Sequence, residues 1–142
     1  MLKTVSAILG IAFVLAACDQ AAQETATPPA PPPTKAWMVF FDTNSSKLSQ
    51  QGTATVNEAA GVAKSMPNAK VTVTGYTDTD GSPAYNQALS VRRANAVKAE
   101  LVRDGIDATA ITVTGVGEQS LLVQTPNQTK QEKNRRVQIV VQ

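Results

Sequence analysis

The chain contains no histidine and a single cysteine among its 142 residues. Those shortages exclude a Ser–His or Cys–His nucleophilic site, a zinc site built from His or several Cys, and a disulfide within one chain. Aromatic residues make up only 4%, too few for a platform on which bases stack, and a formal charge of +2 is too weak to hold a phosphate backbone. Nucleic acid is therefore excluded as a partner. Long apolar runs are missing as well. The most apolar stretch, residues 5–16, is too short to span a bilayer comfortably as a permanent helix.

What that stretch does resemble is the core of a secretory signal, with Lys3 as its positive flank. It ends in Leu15-Ala16-Ala17-Cys18, similar to the bacterial lipobox, in which the Cys receives a diacylglycerol and becomes the acylated first residue after cleavage. The alternative is an ordinary cleaved signal followed by an incidental Cys. On the lipobox reading residues 1–17 are the signal and Cys18 is the membrane anchor, firm because several chains are attached where one would hold only marginally. Asp19 follows directly and resembles the signal that retains lipoproteins in the inner membrane of enteric bacteria.

Residues 18–35 form a linker. From Gln20 onward they are mostly Ala, Gln, Thr and Pro, ending in Pro28-Pro29-Ala30-Pro31-Pro32-Pro33. Such a segment lacks the apolar surface to fold, and its prolines favour an extended chain that reaches about 50 Å at roughly 3.1 Å per residue.

The folded part is expected over residues 36–142. Trp37-Met38-Val39-Phe40-Phe41 is apolar throughout, which predicts a strand at least partly covered on both faces. Ser49 is placed to cap a helix over residues 50–66, with Val56, Ala59, Ala60 and Ala63 on its apolar face, and Pro67-Asn68 stops it. A strand over 71–76, a helix over 84–103 ended by Asp104-Gly105, a strand over 111–116 and a last strand over 137–141 follow. Val71-Thr72-Val73-Thr74-Gly75 is echoed by Ile111-Thr112-Val113-Thr114-Gly115, each after a helix and a turn. Apolar residues alternating with Thr predict one buried and one wetted face. Helices between strands imply parallel pairing through crossovers. The fold class is α/β (α+β): a two-layer sandwich, β-α-β-α-β-β, with the helices on one face of a four-stranded sheet.

The most informative stretch joins the second strand to the second helix, from Gly75 to Ala94. It turns through Asp78-Thr79-Asp80-Gly81-Ser82-Pro83 and enters a helix carrying Arg93 on a largely apolar stripe, between Ala96 and Val97 at about 100° per residue. A charge there needs a partner or a route to water. Spacing alone leaves open a stem packed on the core with its head reaching solvent. Asp42, Asp78 and Asp80 raise the question of a carboxylate pair for glycoside hydrolysis, but their separation is not readable. Asp78-x-Asp80-Gly81 also lacks the further acidic ligands of a calcium loop. No catalytic residue, metal or cofactor is assigned.

Gly75-Tyr76-Thr77-Asp78, Gly81, Asn86, Leu89-Ser90 and Arg93-Ala94 stand in an order that resembles the signature of the outer-membrane protein A-like peptidoglycan-binding domain. That family includes peptidoglycan-associated lipoprotein. The resemblance extends to Phe41-Asp42-Thr43-Asn44 and Asn134-Arg135-Arg136-Val137, covering nearly all of the folded part. It implies that Asp78 and Arg93 recognise the free end of diaminopimelate in a stem peptide. The carboxylate accepts from the ammonium, and the guanidinium forks onto the carboxylate. It further implies that Asn86 adds amide hydrogen bonds, that Asn44 and Thr77 line the rim, and that Arg135 supplies a second cation. This sequence departs from the family in having Tyr76 for the usual His, and Lys130-Gln131-Glu132-Lys133 for Glu-Gly-Arg-Ala. For Arg135 and Arg136 the residues alone also allow a solvated basic edge that blunts the last strand.

The resulting expectation is a non-enzymatic tether, lipid-anchored in the outer membrane with its domain in the periplasm, that binds peptidoglycan. Asp19 keeps the inner membrane as the alternative location. The alternative function is a Tol–Pal-type subunit whose main ligand is a periplasmic protein.

Overall fold

The computed structural model describes residues 28–31 and 34–142. Residues 1–17, expected to be a signal peptide, together with Cys18, Asp19 and most of the expected linker, lie outside the described residues. Pro28–Ala30 are exposed and have no regular structure; all that follows concerns the unit Pro31–Gln142.

Four strands and two long helices alternate along that unit: β1 (Lys35–Phe40), α1 (Gln50–Ser65), β2 (Val71–Gly75), α2 (Pro83–Arg103), β3 (Ile111–Gly115) and β4 (Arg136–Val141). Both helices start where a serine can satisfy a free N–H. Ser49 accepts from Gly52 N at 3.0 Å, and Ser82 accepts from Tyr85 N at 3.2 Å, with Pro83 in the first turn. α1 stops before Pro67. α2 stops at Asp104-Gly105, where Gly105 takes a φ of 96° that a side chain would resist.

The sheet order is β1-β4-β2-β3. β2 and β3 are parallel in the register Val71↔Ile111 to Gly75↔Gly115, with α2 as their crossover. β4 then enters between β1 and β2, antiparallel to both. The expected parallel pairing therefore holds for one strand pair, and the sheet as a whole is mixed.

Val39, Val71, Val73, Ile111, Val137, Ile139 and Val141 turn to one face and meet Val56, Ala59, Ala60 and Ala63 of α1 and Ala94, Val97 and Leu101 of α2. Both helices cover that single face. Among the described residues no helix covers the opposite face, which explains the threonines at 72, 74, 112 and 114. It also corrects one expectation. β1 is covered on one face only, because Met38 and Phe40 are 40% and 43% exposed although the run reads as apolar throughout.

Candidate functional site

α2 lies so close to the ends of β2 and β3 that only glycine fits beneath it. A Cβ at Gly75 would overlap the carbonyl oxygen of Ser90, and one at Gly115 would lie 2.5 Å from Val91 Cγ2 and 2.7 Å from Val91 N. Ser90 tightens this contact: its hydroxyl donates to Gln87 O at 2.7 Å and accepts from Gly117 N at 2.9 Å. The chain leaving β2 is thereby led under the first turns of α2, and Thr77, Asp78 and Thr79 become buried although they belong to a loop.

The residues expected to form the site do converge here, with pairings that differ from the expected ones. Arg93 is 0% exposed, so its head does not reach solvent. Its guanidinium donates from Nε to Ser45 O (2.9 Å), from Nη1 to Tyr76 O (3.1 Å) and from Nη2 to Asp42 O (2.9 Å). It also lies 5.4 Å from the ring centre of Phe41. The snorkelling alternative is therefore overturned: three carbonyls from two loops replace water as acceptors. Burial draws the Arg93 pKa down to about 10, a fall that nearby Asp78 opposes and Arg135 deepens. The side chain remains a fixed cation at neutral pH.

The ion-pair partner of Asp78 is Arg135, 3.3 Å from Nη1 to Oδ2, with both side chains largely buried. The same oxygen accepts from Gln131 N at 3.1 Å, and Oδ1 accepts from Asp80 N at 3.3 Å. Arg135 is itself oriented by donating from Nε to Phe41 O at 2.9 Å. One carboxylate thus stands among two guanidinium groups, and the cluster carries a net positive charge.

Asn86 donates to Asp78 O at 3.2 Å and to Glu118 Oε2 at 2.7 Å. Its own Oδ1 and the hydroxyl of Thr77 are buried without a partner among the described residues. Two unmatched polar atoms beside Asp78 are costly in a folded domain and fit a place where a ligand supplies the missing groups. Asn44 takes a left-handed φ of 57° and accepts a hydrogen bond from the hydroxyl of Tyr85 at 2.9 Å. A pocket of about 390 Å³ opens alongside, lined by Asp42, Ser45, Lys47, Leu48, Glu132 and Arg135 among others.

The alternative of a solvated basic edge for Arg135 and Arg136 is overturned too. β4 is a central strand, and both side chains are committed inside the protein. Arg136 lies with its guanidinium 3.8 Å from the ring centre of Tyr76 and donates to Ser120 O at 3.2 Å. Burial lowers its pKa, and the tyrosine partly opposes this.

Residues far from Asp78 along the chain also shape the site. Fully buried Asn134 accepts from Leu122 N and Val123 N and donates to Val123 O, each at 2.8 Å, which pins the long loop before β4. Thr79 donates to Pro126 O at 2.6 Å, and Gln128 exchanges two hydrogen bonds with the backbone of Gly81. These contacts hold Gln131 and Arg135 against Asp78. No group of three acidic or Cys side chains able to hold a metal ion occurs among the described residues.

Comparison with known proteins gives a consistent picture. The model of the OmpA family matches residues 40–135. A protein named outer membrane protein from Gluconacetobacter diazotrophicus is 41% identical over 118 residues, which is 79% of this chain and 31% of the relative. The probable lipoprotein YiaD of Escherichia coli is 35% identical, over 72% of this chain and 47% of its own length. Peptidoglycan-binding protein ArfA of Mycobacterium bovis is 38% identical over 61% of this chain and 26% of its own. The chain thus spans half or less of these curated relatives. Among solved structures, the peptidoglycan-associated lipoprotein of Burkholderia pseudomallei superposes with a TM-score of 0.68 at 28% identity, over 74% of this chain and 89% of that one.

Proposed function

Since the chain belongs to the OmpA family, we propose that its folded part binds peptidoglycan without catalysis, taking the zwitterionic free end of diaminopimelate at Asp78. The observation that carries this reading is the single buried carboxylate set among two guanidinium groups. An ammonium beside a carboxylate matches that arrangement: the ligand's ammonium takes acceptor capacity on Asp78, and its carboxylate neutralises the excess positive charge of Arg93 and Arg135. Thr77 and Asn86 offer their unpartnered oxygens at the same place. Relatives named as peptidoglycan-binding and outer-membrane proteins support the reading.

Removing the acceptor should cost about 2–5 kcal/mol of binding, the range for breaking a buried charge pair. Because Asp78 also holds Gln131 N and Arg135, Asp78→Ala is expected to lower stability as well as binding. Asp78→Asn keeps one oxygen for Gln131 N but gives up the ion pair with Arg135 and turns an NH2 toward Asp80 N, so it keeps only part of the stability that Asp78→Ala loses. Both variants should fail to pellet with diaminopimelate-type sacculi at a temperature where their melts show them folded, with Asp78→Asn melting between Asp78→Ala and the parent. An Asp78→Asn protein that pellets like the parent would show that recognition does not reside at this carboxylate.

The anchor belongs to the same reading: the protein is held at the outer membrane by lipid on Cys18, with its domain in the periplasm. The Leu15-Ala16-Ala17-Cys18 run and the lipoprotein among the relatives support it. Cys18→Ala should abolish labelling with radioactive palmitate, and equal labelling would refute the lipobox. Density-gradient fractionation reads the membrane separately. Recovery wholly with the inner membrane would assign Asp19 the deciding role.

A further inference from the structure

Edge strands are normally blunted by charge, proline, a bulge or a covering segment, because their unpaired backbone groups template further pairing. Along β1 the sequence is Lys-Ala-Trp-Met-Val-Phe, whose only charge is at its first residue. Phe41 N donates to Arg135 O, while Tyr76 N donates to Arg136 O on the other side of β4. Alternation along the ladder therefore turns the odd residues of β1 toward β4 and the N–H and C=O of Ala36, Met38 and Phe40 outward. The side chains of these three residues stand on the open face, and Met38 and Phe40 are among the large exposed apolar side chains of the protein. Between this strand and the first turns of α1 runs a groove of about 300 Å³, lined by Val39, Ser49, Gln51, Gly52 and Thr55 among others. The opposite edge, β3, differs: it presents the exposed threonines Thr112 and Thr114 on that face.

We propose that β1 pairs with β1 of a second copy of this chain, antiparallel about a two-fold axis at Met38, joining the two sheets into one. Pairing must match residues of like parity so that each side chain keeps its face. Centred on Met38, the seam sets Met38 against Met38 and Ala36 against Phe40, so the three outward N–H and C=O groups satisfy one another. A large ring then lies beside a small methyl on the open face, and Trp37 faces Val39 on the helix side. At each end, Lys35 of one copy comes beside Phe41 of the other. Centring one residue either way sets Ala36 against Asp42 or Phe40 against Thr34, beyond the strand. The contact is isologous, so it closes at two copies. A dimer presents two wall sites, which raises avidity without a new contact to the wall. The pairing stands on the geometry of β1 and is independent of the ligand assigned to Asp78.

The test uses the full chain in a Cys18→Ala background, so that any thiol is an introduced one. Across a hydrogen-bonded antiparallel pair the Cα atoms lie about 5.5 Å apart, within reach of a disulfide. Met38→Cys should therefore give a dimer-sized, reducible band under mild oxidation. Ala36→Cys should not, because the two copies of residue 36 are separated by about 14 Å along the strands. In sedimentation velocity the parent should show a concentration-dependent dimer. Met38→Lys should raise its dissociation constant about tenfold or more with the melting temperature of the monomer unchanged, since lysine on an edge opposes pairing. A parent that stays monomeric up to millimolar concentration overturns the proposal. So does equal cross-linking through Ala36→Cys, or oxidation of Met38→Cys in cells that yields only an adduct with a chain of different mass.

Discussion

Arg93→Ala is expected to leave little folded domain at 37 °C. The side chain joins the loop after β1, through Asp42 O and Ser45 O, to the loop after β2, through Tyr76 O. Hydrogen bonds to a charged donor contribute about 1.5–3 kcal/mol each, and three carbonyls would lose theirs together inside the protein. A cavity replaces the stem as well, beside the ring of Phe41. Even with partial relaxation the loss should reach about 4 kcal/mol, a large share of the roughly 5–15 kcal/mol that holds a typical domain. Arg93→Met, which keeps the bulk of the stem, should recover only the packing part. Arg93→Lys carries one nitrogen where three acceptors lie apart and should recover a minority of the stability. Thermal melts of the three variants decide it. A fall of only a few degrees for Arg93→Ala would show that water can reach these carbonyls and that the arginine is not a structural brace. The experiment also has a bearing on the site: a binding defect in Arg93→Ala cannot be assigned to recognition, whereas one in Asp78→Asn can at a temperature where its melt shows it folded.

Gly75→Ala should be comparably damaging for a different reason. The new methyl would overlap Ser90 O and lie 2.9 Å from the Ser90 carbonyl carbon, and these are backbone atoms of α2 that cannot rotate away. The helix must lift from the sheet, and with it Ser90, Asn86 and the buried Thr77-Asp78 segment. Overpacking typically costs about 1–3 kcal/mol and more where backbone must shift, so a loss of about 3 kcal/mol or more is expected. Gly115→Ala meets Val91 Cγ2 at 2.5 Å, Ser90 Oγ at 2.6 Å and backbone Val91 N at 2.7 Å, a milder backbone clash than the overlap with Ser90 O, and should cost less. Gly61→Ala is the control. No atom lies within 4 Å of its Cβ, and within α1 alanine should be neutral or favourable by up to about 1 kcal/mol. Chemical denaturation of the three variants should rank them in that order, with Gly75→Ala lowest. Equal midpoints for Gly75→Ala and Gly61→Ala would mean that the close approach of α2 to the sheet is not required.

Much of this architecture is readable along the chain because it is local. Ser49 and Ser82 precede helices, Pro67 and Gly105 follow them, and alternation of Val or Ile with Thr marks strands with one buried face. These signals act within a few residues, so sequence order alone determines the helices, the strands and the layer they form. The loop and helix bearing Asp78, Asn86 and Arg93 are likewise contiguous, and their order resembles one family closely enough to be recognised. What sequence could not assign is which apolar strand lies at the edge. Trp37 to Phe41 is apolar throughout and Val137 to Val141 is apolar but for Gln138, yet only the second is central. The difference comes from long-range pairing: β2 and β3 are joined by a crossover, which leaves one free side of β2 for β4 and the outer position for β1. Partner choice in the site was decided in the same way. Asp78 meets Arg135 across 57 positions and Arg93 meets Asp42 across 51, distances over which no periodicity carries information. A buried charge takes whatever acceptor the packed fold brings within reach, and here that was backbone from two other loops.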